Sequence, residues 1–316
     1  MFNSAFDSAP STFAGVISYS GTHAAIPVSQ KITTTGAEFF VDEPICFDGN
    51  HMAESLDWMA LDDGTHRTDE DKPFVVGRAA SNKGTVTQNA AGQWTKVTYP
   101  GTFTGPVAVV VNAQSAQQIK KDAKWYNVRV QNVNTDSFEF HVENDPQRNK
   151  ADAADGVVVS YLVIETGEGH INNYQYNALV TPNKHIKDGF VNVASPNPGD
   201  VGYSSLLESG TKPLVFGSVT HSGSDTASLR MKYAANGKIQ FAMKEPNNKE
   251  CGWDGPHPMA EQAYLFLVSP TKFECDAVAC HDWDCSQWCR CFDEHEETLY
   301  TNAGCDQDDG SPYCEC

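Results

Sequence analysis

Apolar and polar residues alternate with a period of two along much of the chain. In 138–142 the apolar residues are separated by Glu139 and His141, and in 128–131 the two valines alternate with Arg129 and Gln131. Such alternation is typical of strands that bury one face and expose the other. We therefore predict half-buried antiparallel strands, in which these four polar side chains lie on the faces away from the core.

Two further segments, 106–111 and 157–164, are more continuously apolar. Strands in the middle of a sandwich have this pattern because both of their faces are covered. Glycine and asparagine residues fall between the apolar runs, where turns need positive φ or compact side chains. One segment, 292–303, instead predicts a helix, since acidic residues come first, Leu299 and Tyr300 follow, and Gly304 ends the run.

The chain contains an internal repeat. The segments 38–44 and 48–54 recur as 240–246 and 254–261, and 139–146 with 155–156 forms a more divergent middle copy. Phe40, Phe140 and Phe241 mark a period of about 100 residues, which is the size of one small β domain. The pattern therefore predicts several related β units instead of one large domain.

We place a partial β-sandwich repeat at residues 1–70 and further repeats at 71–175 and 176–272. A Cys-rich acidic tail follows at 273–316. The first copy lacks the opening segment that the later copies have at 74–99 and 179–207. The predicted fold class is all-β, with tandem antiparallel β-sandwich repeats and a small C-terminal module.

Charge narrows the classes of partner. The 316 residues include 22 basic and 41 acidic side chains, so the formal net charge is −19. An acidic surface repels the phosphate backbone, which makes nucleic acid an unsuitable partner. No apolar run approaches the roughly 20 residues that span a bilayer, so no membrane partner is expected. Residues 1–30 also lack the basic start and apolar block of a secretory signal.

The tail has its own chemistry, with twelve acidic residues and one basic residue between 274 and 316. An even number of closely spaced cysteines in a segment too short for its own core predicts disulfides in an oxidising compartment. Structural zinc is the alternative, but it favours C-x2-C pairs, which are absent here. The disulfide candidates are Cys275, Cys280, Cys285, Cys289, Cys291, Cys305, Cys314 and Cys316.

One constellation of possible metal ligands occurs twice. Its members are Asp48, His51 and Glu54 in the first copy, and Asp254, His257 and Glu261 in the last. Calcium prefers the carboxylate oxygens, whereas zinc or manganese accepts the histidine as well. The alternative is structural: the aspartate closes an Asx turn, while the histidine and the glutamate brace the loop by hydrogen bonds. No other cofactor is expected.

Catalytic motifs are lacking. The sequence has no Gly-x-Ser-x-Gly elbow, His-Glu-x-x-His helix, phosphate loop or dinucleotide fingerprint. These arrangements create an activated nucleophile, a metal-bound water or an anion cradle. We therefore expect a protein that is not an enzyme.

The order of apolar runs and turns in the middle copy resembles the H-type lectin domain. The residues that carry this resemblance are Trp94, 97–99, Phe103, 106–109, 128–130, 134–138 and 157–167. The resemblance implies a compact antiparallel β-sandwich that binds sugars. No residue matches a sugar-contacting signature, so ligand-binding residues are not predicted.

The overall plan of an acidic chain of related β-sandwich copies is similar to the pyrenoid shell proteins of diatoms. Those proteins form a sheet around the Rubisco condensate in the chloroplast. The similarity implies a non-catalytic subunit at the pyrenoid surface that assembles with itself as a homo-oligomer or lattice. The alternative is a secreted, lectin-like adhesion protein with a carbohydrate partner, which an extracellular, disulfide-rich tail would suit.

Overall fold

The computed structural model of the chain confirms the all-β fold class. It describes residues 2, 4–21, 23–44, 52–82, 94–99, 103–115, 126–143, 157–172, 174–182, 191–193, 212–221, 226–234, 238–245, 261–270, 289–292, 298–301, 303–305 and 312–314. These residues form strands and connecting segments and contain no helix. The described part of the chain accordingly has no helix of the length and apolarity that crossing a bilayer requires.

The strands are numbered in chain order. They are β1 (Ser11–Ala14), β2 (Ile26–Gln30), β3 (Glu38–Asp42), β4 (Trp58–Leu61), β5 (Gly64–Arg67), β6 (Pro73–Ala80), β7 (Thr95–Thr98), β8 (Val107–Ser115), β9 (Asn127–Gln131), β10 (Ser137–Glu143) and β11 (Val158–Glu165). They continue with β12 (Gly167–Ile171), β13 (Tyr174–Val180), β14 (Val191–Val193), β15 (Leu214–Thr220), β16 (Ser228–Ala234), β17 (Lys238–Lys244), β18 (Ala263–Pro270), β19 (Cys289–Phe292), β20 (Thr298–Thr301), β21 (Ala303–Cys305) and β22 (Pro312–Cys314).

The chain divides into two compact units, Met1–Ser269 and Pro270–Cys316. In the smaller unit β19 pairs with β20 and β21 pairs with β22, both antiparallel. The predicted helix over 292–303 is therefore wrong. Thr298, Tyr300 and Thr301 favour an extended backbone, and pairing with β19 supplies their ladder hydrogen bonds.

The cysteine pairing and the segment bounds stay predictions. Cys289, Cys291, Cys305 and Cys314 lie in strands of the smaller unit, and the other four candidate cysteines lie outside the described residues. The segment bounds 1–70, 71–175, 176–272 and 273–316 also stay predictions, because the strand pairing does not decide where one segment ends and the next begins.

Three antiparallel hairpins in the larger unit share one register. They are β2–β3, β9–β10 and β16–β17, in which Ser29, Val130 and Met231 lie opposite Phe39, Phe140 and Phe241. These phenylalanines are separated by 140 − 39 = 101 and by 241 − 140 = 101 residues. The first member of the series is therefore Phe39. Its neighbour Phe40, which the sequence pattern indicated, lies opposite Val28.

Each hairpin touches a strand from a distant part of the chain in parallel orientation. Ser29 pairs with Gln114 of β8, Arg129 pairs with Val219 of β15, and Arg230 bridges Ile17, which follows β1. We call these three contacts the Ser29 joint, the Arg129 joint and the Arg230 joint. They build a six-stranded sheet (β3-β2-β8-β11-β6-β5) and a seven-stranded sheet (β12-β13-β18-β15-β9-β10-β7), and they connect β14-β17-β16 to the segment after β1.

The two continuously apolar segments are central strands, as predicted. β8 lies between β2 and β11, and β11 lies between β8 and β6. Buried apolar side chains form a large cluster that includes Phe138 and Phe140 and a smaller one that includes Phe241. Each buried phenylalanine contributes roughly 1.5–3 kcal/mol through removal of apolar surface from water. The result is a β-sandwich-like body.

The alternation prediction is wrong for two of its four polar residues. Arg129 and His141 are buried, with relative exposures of 0% and 2%. Segments that are remote in sequence cover them, because Arg129 bonds to Thr220 at the end of β15 and His141 packs against Trp94 and His221. Period-two alternation assigns a face but does not show what covers that face.

Candidate functional site

The side chain of Arg129 fastens β9 to the end of β15 and to the segment that follows it. Its Nε donates to the carbonyl oxygen of Thr220 at 2.9 Å, and its Nη1 donates to that of Ala227 at 2.9 Å. Its Nη2 lies 2.8 Å from Oε1 of Glu261, and both side chains of this ion pair have 0% exposure. The second carboxylate oxygen of Glu261 accepts from the Thr220 hydroxyl at 2.8 Å. Backbone and carboxylate thus satisfy the buried guanidinium together.

Arg230 makes the same set of contacts at its own joint. Its Nε donates to the carbonyl oxygen of Ser18 at 3.0 Å, its Nη1 donates to that of His23, and its Nη2 pairs with Glu54. Both side chains of this ion pair also have 0% exposure. Two joints therefore contain an arginine, two backbone acceptors and a glutamate in the same arrangement.

Glu54 also closes the loop before β2. Its carboxylate accepts from the backbone amides of Ser20 and Gly21, each at 2.8 Å, and from the Ser18 hydroxyl. Burial alone would raise the pKa of Glu54, but these hydrogen bonds and the Arg230 charge lower it below its ordinary value. The carboxylate stays ionised and braces the loop.

The predicted metal constellation is described only in part. Glu54 and Glu261 occupy matching places, each paired with a buried arginine. These contacts agree with the structural alternative, in which the glutamate braces a loop. Asp48, His51, Asp254 and His257 lie outside the described residues, so the metal site that they would complete stays a prediction.

The Ser29 joint uses neutral groups instead of an ion pair. The Thr12 hydroxyl donates to Oγ of Ser29 at 2.9 Å, and Oγ of Ser29 donates to Oδ1 of Asn112 at 3.2 Å. Nε2 of Gln114 donates to Oγ1 of Thr12 at 3.1 Å. Val28, which occupies the register position of Arg129 and Arg230, is an apolar buried residue. Parallel pairing therefore does not depend on the arginine.

A cluster of titratable side chains lies beside the Arg129 joint. Nε2 of His141 and Nδ1 of His221 lie 3.3 Å and 3.1 Å from the same oxygen, Oε1 of Glu143. The three potential ligand atoms all lie within 4.8 Å of one another. His141 and Glu143 are almost completely buried, whereas the side chain of His221 is 20% exposed. One side of the cluster therefore faces solvent.

Surrounding residues fix the Glu143 carboxylate. Its Oε2 accepts from Nδ2 of Asn127 at 2.7 Å and from Oγ1 of Thr226 at 2.6 Å. Burial alone would raise the pKa of Glu143, but the Arg129 charge and the two imidazoles hold it well below its usual range. The carboxylate is therefore an acceptor, and both histidines present an N–H to it.

His141 is the most enclosed member of the cluster. The Trp94 ring packs against it, with centroids 4.0 Å apart. Burial lowers the pKa of His141, against the opposing effect of Glu143. Its Nδ1 is buried and has no hydrogen-bond partner in the described part of the chain. Buried polar atoms without partners are uncommon and mark places with a functional or structural explanation.

The corresponding positions of the Arg230 joint hold other side chains. With the spacing of 101 residues between hairpins, 141 + 101 = 242 and 143 + 101 = 244, which are Ala242 and Lys244. The residue after the Ser18 acceptor is Tyr19, whereas His221 follows the Thr220 acceptor. Nζ of Lys244 and the Arg230 guanidinium lie 5.5 Å and 5.3 Å from the centre of the Tyr19 ring. The histidine cluster is thus not a requirement of the joint.

The cluster could be found only partly from the sequence. His141 and Glu143 are two positions apart on one strand, so they share a face, and this is a readable signal. His221 is 78 residues beyond Glu143 and reaches it only through the parallel pairing of β9 with β15. Alternation had also assigned His141 to an exposed face.

A second feature is an apolar cavity of about 470 Å³ in the larger unit. It is lined by all four residues of β4 and by side chains from β12, β13, β15 and β18. Trp58 and Tyr174 lie on its rim with exposures of 44% and 46%. Its lining includes Phe2, Phe6, Trp58, Tyr174, Phe216 and Phe266.

Comparisons with protein-family models, with curated proteins and with solved structures find no match to this chain. The geometry of the joints, the histidine cluster and the cavity is therefore the basis for assigning a function.

Proposed function

We propose that the protein is a non-catalytic structural subunit that assembles with itself into a sheet or shell. In this role the chain consists of tandem β-sandwich repeats followed by a Cys-rich acidic module, and it lies at the pyrenoid surface of a chloroplast. The similarity of plan to diatom pyrenoid shell proteins suggests that location. The equal spacing of the three hairpins supports the repeats, and the apolar cavity supports self-association.

The cavity is the observation that carries the proposal. Three large hydrophobic side chains are exposed in the described part of the chain, namely Met52, Trp58 and Tyr174, and two of them lie on the cavity rim. An apolar concavity with half-exposed aromatic residues on its rim is typical of surfaces that bind another molecule. Aromatic anchors of this kind contribute much of the binding energy at interfaces.

We propose a second copy of the chain as the occupant of the cavity because of the strand edges that lie beside it. Among the described residues β4 pairs only with β1, and β12 is the last strand of the seven-stranded sheet. Both strands line the cavity, so backbone groups for a further strand lie beside the aromatic rim. The chain already joins distant strands by edge pairing at its own joints. A second copy could use the same type of contact.

The net charge of −19 opposes this association and makes it sensitive to salt. Screening reduces repulsion beyond about 10 Å at 0.1 M ionic strength, so assembly should increase as salt is raised. A stable interface would bury more than about 1,000 Å². An extended sheet would need more than one kind of contact for each subunit.

Substitution of Tyr174 tests the proposal. Tyr174→Lys places a charge on the cavity rim and should weaken self-association at least about tenfold, measured by light scattering and sedimentation across protein and salt concentration. Met52→Lys is the matched control, because Met52 is 65% exposed and does not line the cavity. Negative-stain microscopy of the native chain should show sheets or tubes. A strict monomer under all conditions would contradict the proposal.

The second candidate is a secreted carbohydrate-binding protein. The half-exposed rings of Trp58 and Tyr174, with Asn172 beside them in the cavity lining, could stack on a sugar and bond to its hydroxyls. A glycan array distinguishes the two candidates. Retention of a monomeric native chain, lost in Tyr174→Lys and kept in Met52→Lys, would favour the carbohydrate.

A further inference from the structure

We propose that His141, Glu143 and His221 bind one divalent transition-metal ion of the zinc type beside the Arg129 joint. The ligand atoms would be Nε2 of His141, Oε1 of Glu143 and Nδ1 of His221. The ion would connect the β9–β10 hairpin to the end of β15, and solvent would supply the fourth ligand on the exposed side of His221.

The positions of the three atoms match a tetrahedral ion. Metal–ligand distances of about 2.0–2.1 Å place neighbouring tetrahedral ligands about 3.3 Å apart. Oε1 of Glu143 lies 3.3 Å from Nε2 of His141 and 3.1 Å from Nδ1 of His221. The two nitrogens lie within 4.8 Å of each other. They would move closer together when an ion binds. Both imidazoles already point at one oxygen.

The donor set selects the class of metal. Two imidazole nitrogens and one carboxylate oxygen suit zinc and its neighbours, whereas calcium and magnesium prefer oxygen ligands throughout. Three protein ligands with an open fourth position are typical of zinc sites that keep a water. Binding would require each ring to carry its proton on the nitrogen that does not face the ion. The Nε2 proton of His141 would move to its unpartnered Nδ1, and the Nδ1 proton of His221 would move to its Nε2.

The environment holds the carboxylate and limits the opposing charge. Asn127 and Thr226 donate to Oε2 of Glu143 and leave Oε1 directed at the histidines. Such contacts behind a ligand orient it and raise its affinity for metal. The Arg129 guanidinium would repel a cation, but Glu261 neutralises it at 2.8 Å. Trp94 covers His141 and keeps its ring in place.

The Arg230 joint is a control within the same chain. It keeps the arginine, the backbone acceptors and the glutamate, but it has Ala242, Lys244 and Tyr19 where the ligands would be. Hence the fold tolerates alanine and tyrosine at these positions. The histidines of the Arg129 joint therefore need an explanation beyond the packing of a joint.

The test uses the full chain and variants that copy the other joint. His141→Ala and His221→Tyr introduce the residue types of Ala242 and Tyr19, and His170→Ala is the control, since His170 forms a surface pair with Glu70. Chelator-treated protein is titrated with zinc by calorimetry and with cobalt by absorption spectroscopy. The tail cysteines are common to all variants, and thiolate-bound cobalt is recognised by its charge-transfer band.

The wild type and His170→Ala should bind one more zinc ion than His141→Ala or His221→Tyr. They should also show tetrahedral cobalt bands that are not thiolate bands and that the two histidine variants lack, and zinc should raise their melting temperature. Thr226→Val, which removes a donor to Oε2, should weaken binding about 10–100-fold. Equal uptake in the wild type, His170→Ala, His141→Ala and His221→Tyr would overturn the proposal. A wild type that shows only thiolate cobalt bands would overturn it even if both histidine variants failed to fold.

Discussion

The Arg129 and Arg230 joints share a buried ion pair with backbone acceptors and differ in the side chains beside it. Each buries a guanidinium completely against two backbone carbonyls and a glutamate. Beside this shared set, the Arg129 joint has two histidines and a carboxylate, whereas the Arg230 joint has an alanine, a lysine and a tyrosine. The groups that recur in both joints hold the paired segments together. The groups that differ between the joints are available for other roles.

The Ser29 joint shows that the arginine and glutamate shared by the other two joints can be replaced. There a buried valine and a network of neutral hydrogen bonds accompany the parallel pairing. A buried ion pair is therefore one of two solutions to the same geometric problem. Its contribution to stability depends on both partners being present, because an unpaired buried charge is costly.

The largest effect should come from removing one partner of an ion pair. Glu261→Gln leaves the Arg129 charge buried without its carboxylate and should lower the free energy of unfolding by about 3–5 kcal/mol. Glu54→Gln should do the same at the Arg230 joint. Urea denaturation measures both variants.

Two controls sharpen this comparison. The double variant Arg129→Met/Glu261→Met removes both charges and should lose much less than Glu261→Gln alone. Glu139→Gln changes a carboxylate that is not buried and should cost less than about 1 kcal/mol. Losses below about 1 kcal/mol in both Glu261→Gln and Glu54→Gln would mean that the two joints are not held by their ion pairs.

The three hairpins should differ in their dependence on the repeated phenylalanine. Phe140 and Phe241 are fully buried, whereas Phe39 is half-buried and stacks on Trp58 at 5.6 Å. Phe140→Ala and Phe241→Ala should each cost about 3–5 kcal/mol, and Phe39→Ala should cost clearly less. Thermal or urea unfolding gives the three values. Equal losses would indicate that the first hairpin is as well covered as the others.

A smaller effect on the free energy of unfolding should come from the side chains that differ between the two joints. Tyr19→Leu removes the ring that faces Arg230 and Lys244 and should lower the free energy of unfolding by about 0.5–2 kcal/mol. Tyr19→Phe keeps the ring and should retain most of the stability. If both substitutions cost the same amount, the hydroxyl and not the ring face would be the stabilising group.

The smallest effect concerns a pair remote from the joints. Partial burial alone would raise the pKa of Glu70, but hydrogen bonds from the His170 side chain and backbone lower it to about 2. Because the folded pKa lies below the unfolded value, this stabilisation is present above pH 4.5 and is lost as the pH falls towards 2.

The Glu70→Gln variant should therefore show a shallower loss of stability over this pH range than the wild type. Both side chains are 37% exposed, so solvent screening limits the difference to less than about 1 kcal/mol. Urea midpoints measured at several pH values between 2 and 6 give the two slopes. Identical slopes would assign the acid sensitivity to other carboxylates.

Local patterns predicted the strands well and the joints poorly. The continuous apolar runs became the central strands β8 and β11, because a strand covered on both faces needs no polar positions. Arg129 follows the alternation of an exposed residue, yet it is buried by carbonyls from a segment about ninety residues away. No pattern of period two contains that information.

The candidate site had the same difficulty. Glu54 and Glu261 were found through the repeat, but their partners Arg230 and Arg129 come from other hairpins. In the tail, the acidic start and final glycine suggested a helix, whereas strand pairing decided the outcome. Pairing between distant segments is the physical information that a single sequence does not display.

The Arg230 joint also has a consequence for how the chain folds. It connects Ser18 with a residue 212 positions later. At a synthesis rate of about 5–20 residues per second, the partner of Ser18 leaves the ribosome roughly 10–40 s after it. During that interval the apolar segment around Ile17 lacks the later residues that it contacts in the folded protein. Contacts of such sequence separation slow folding and expose strands to aggregation, so closure of this joint should be a late step that a chaperone would help.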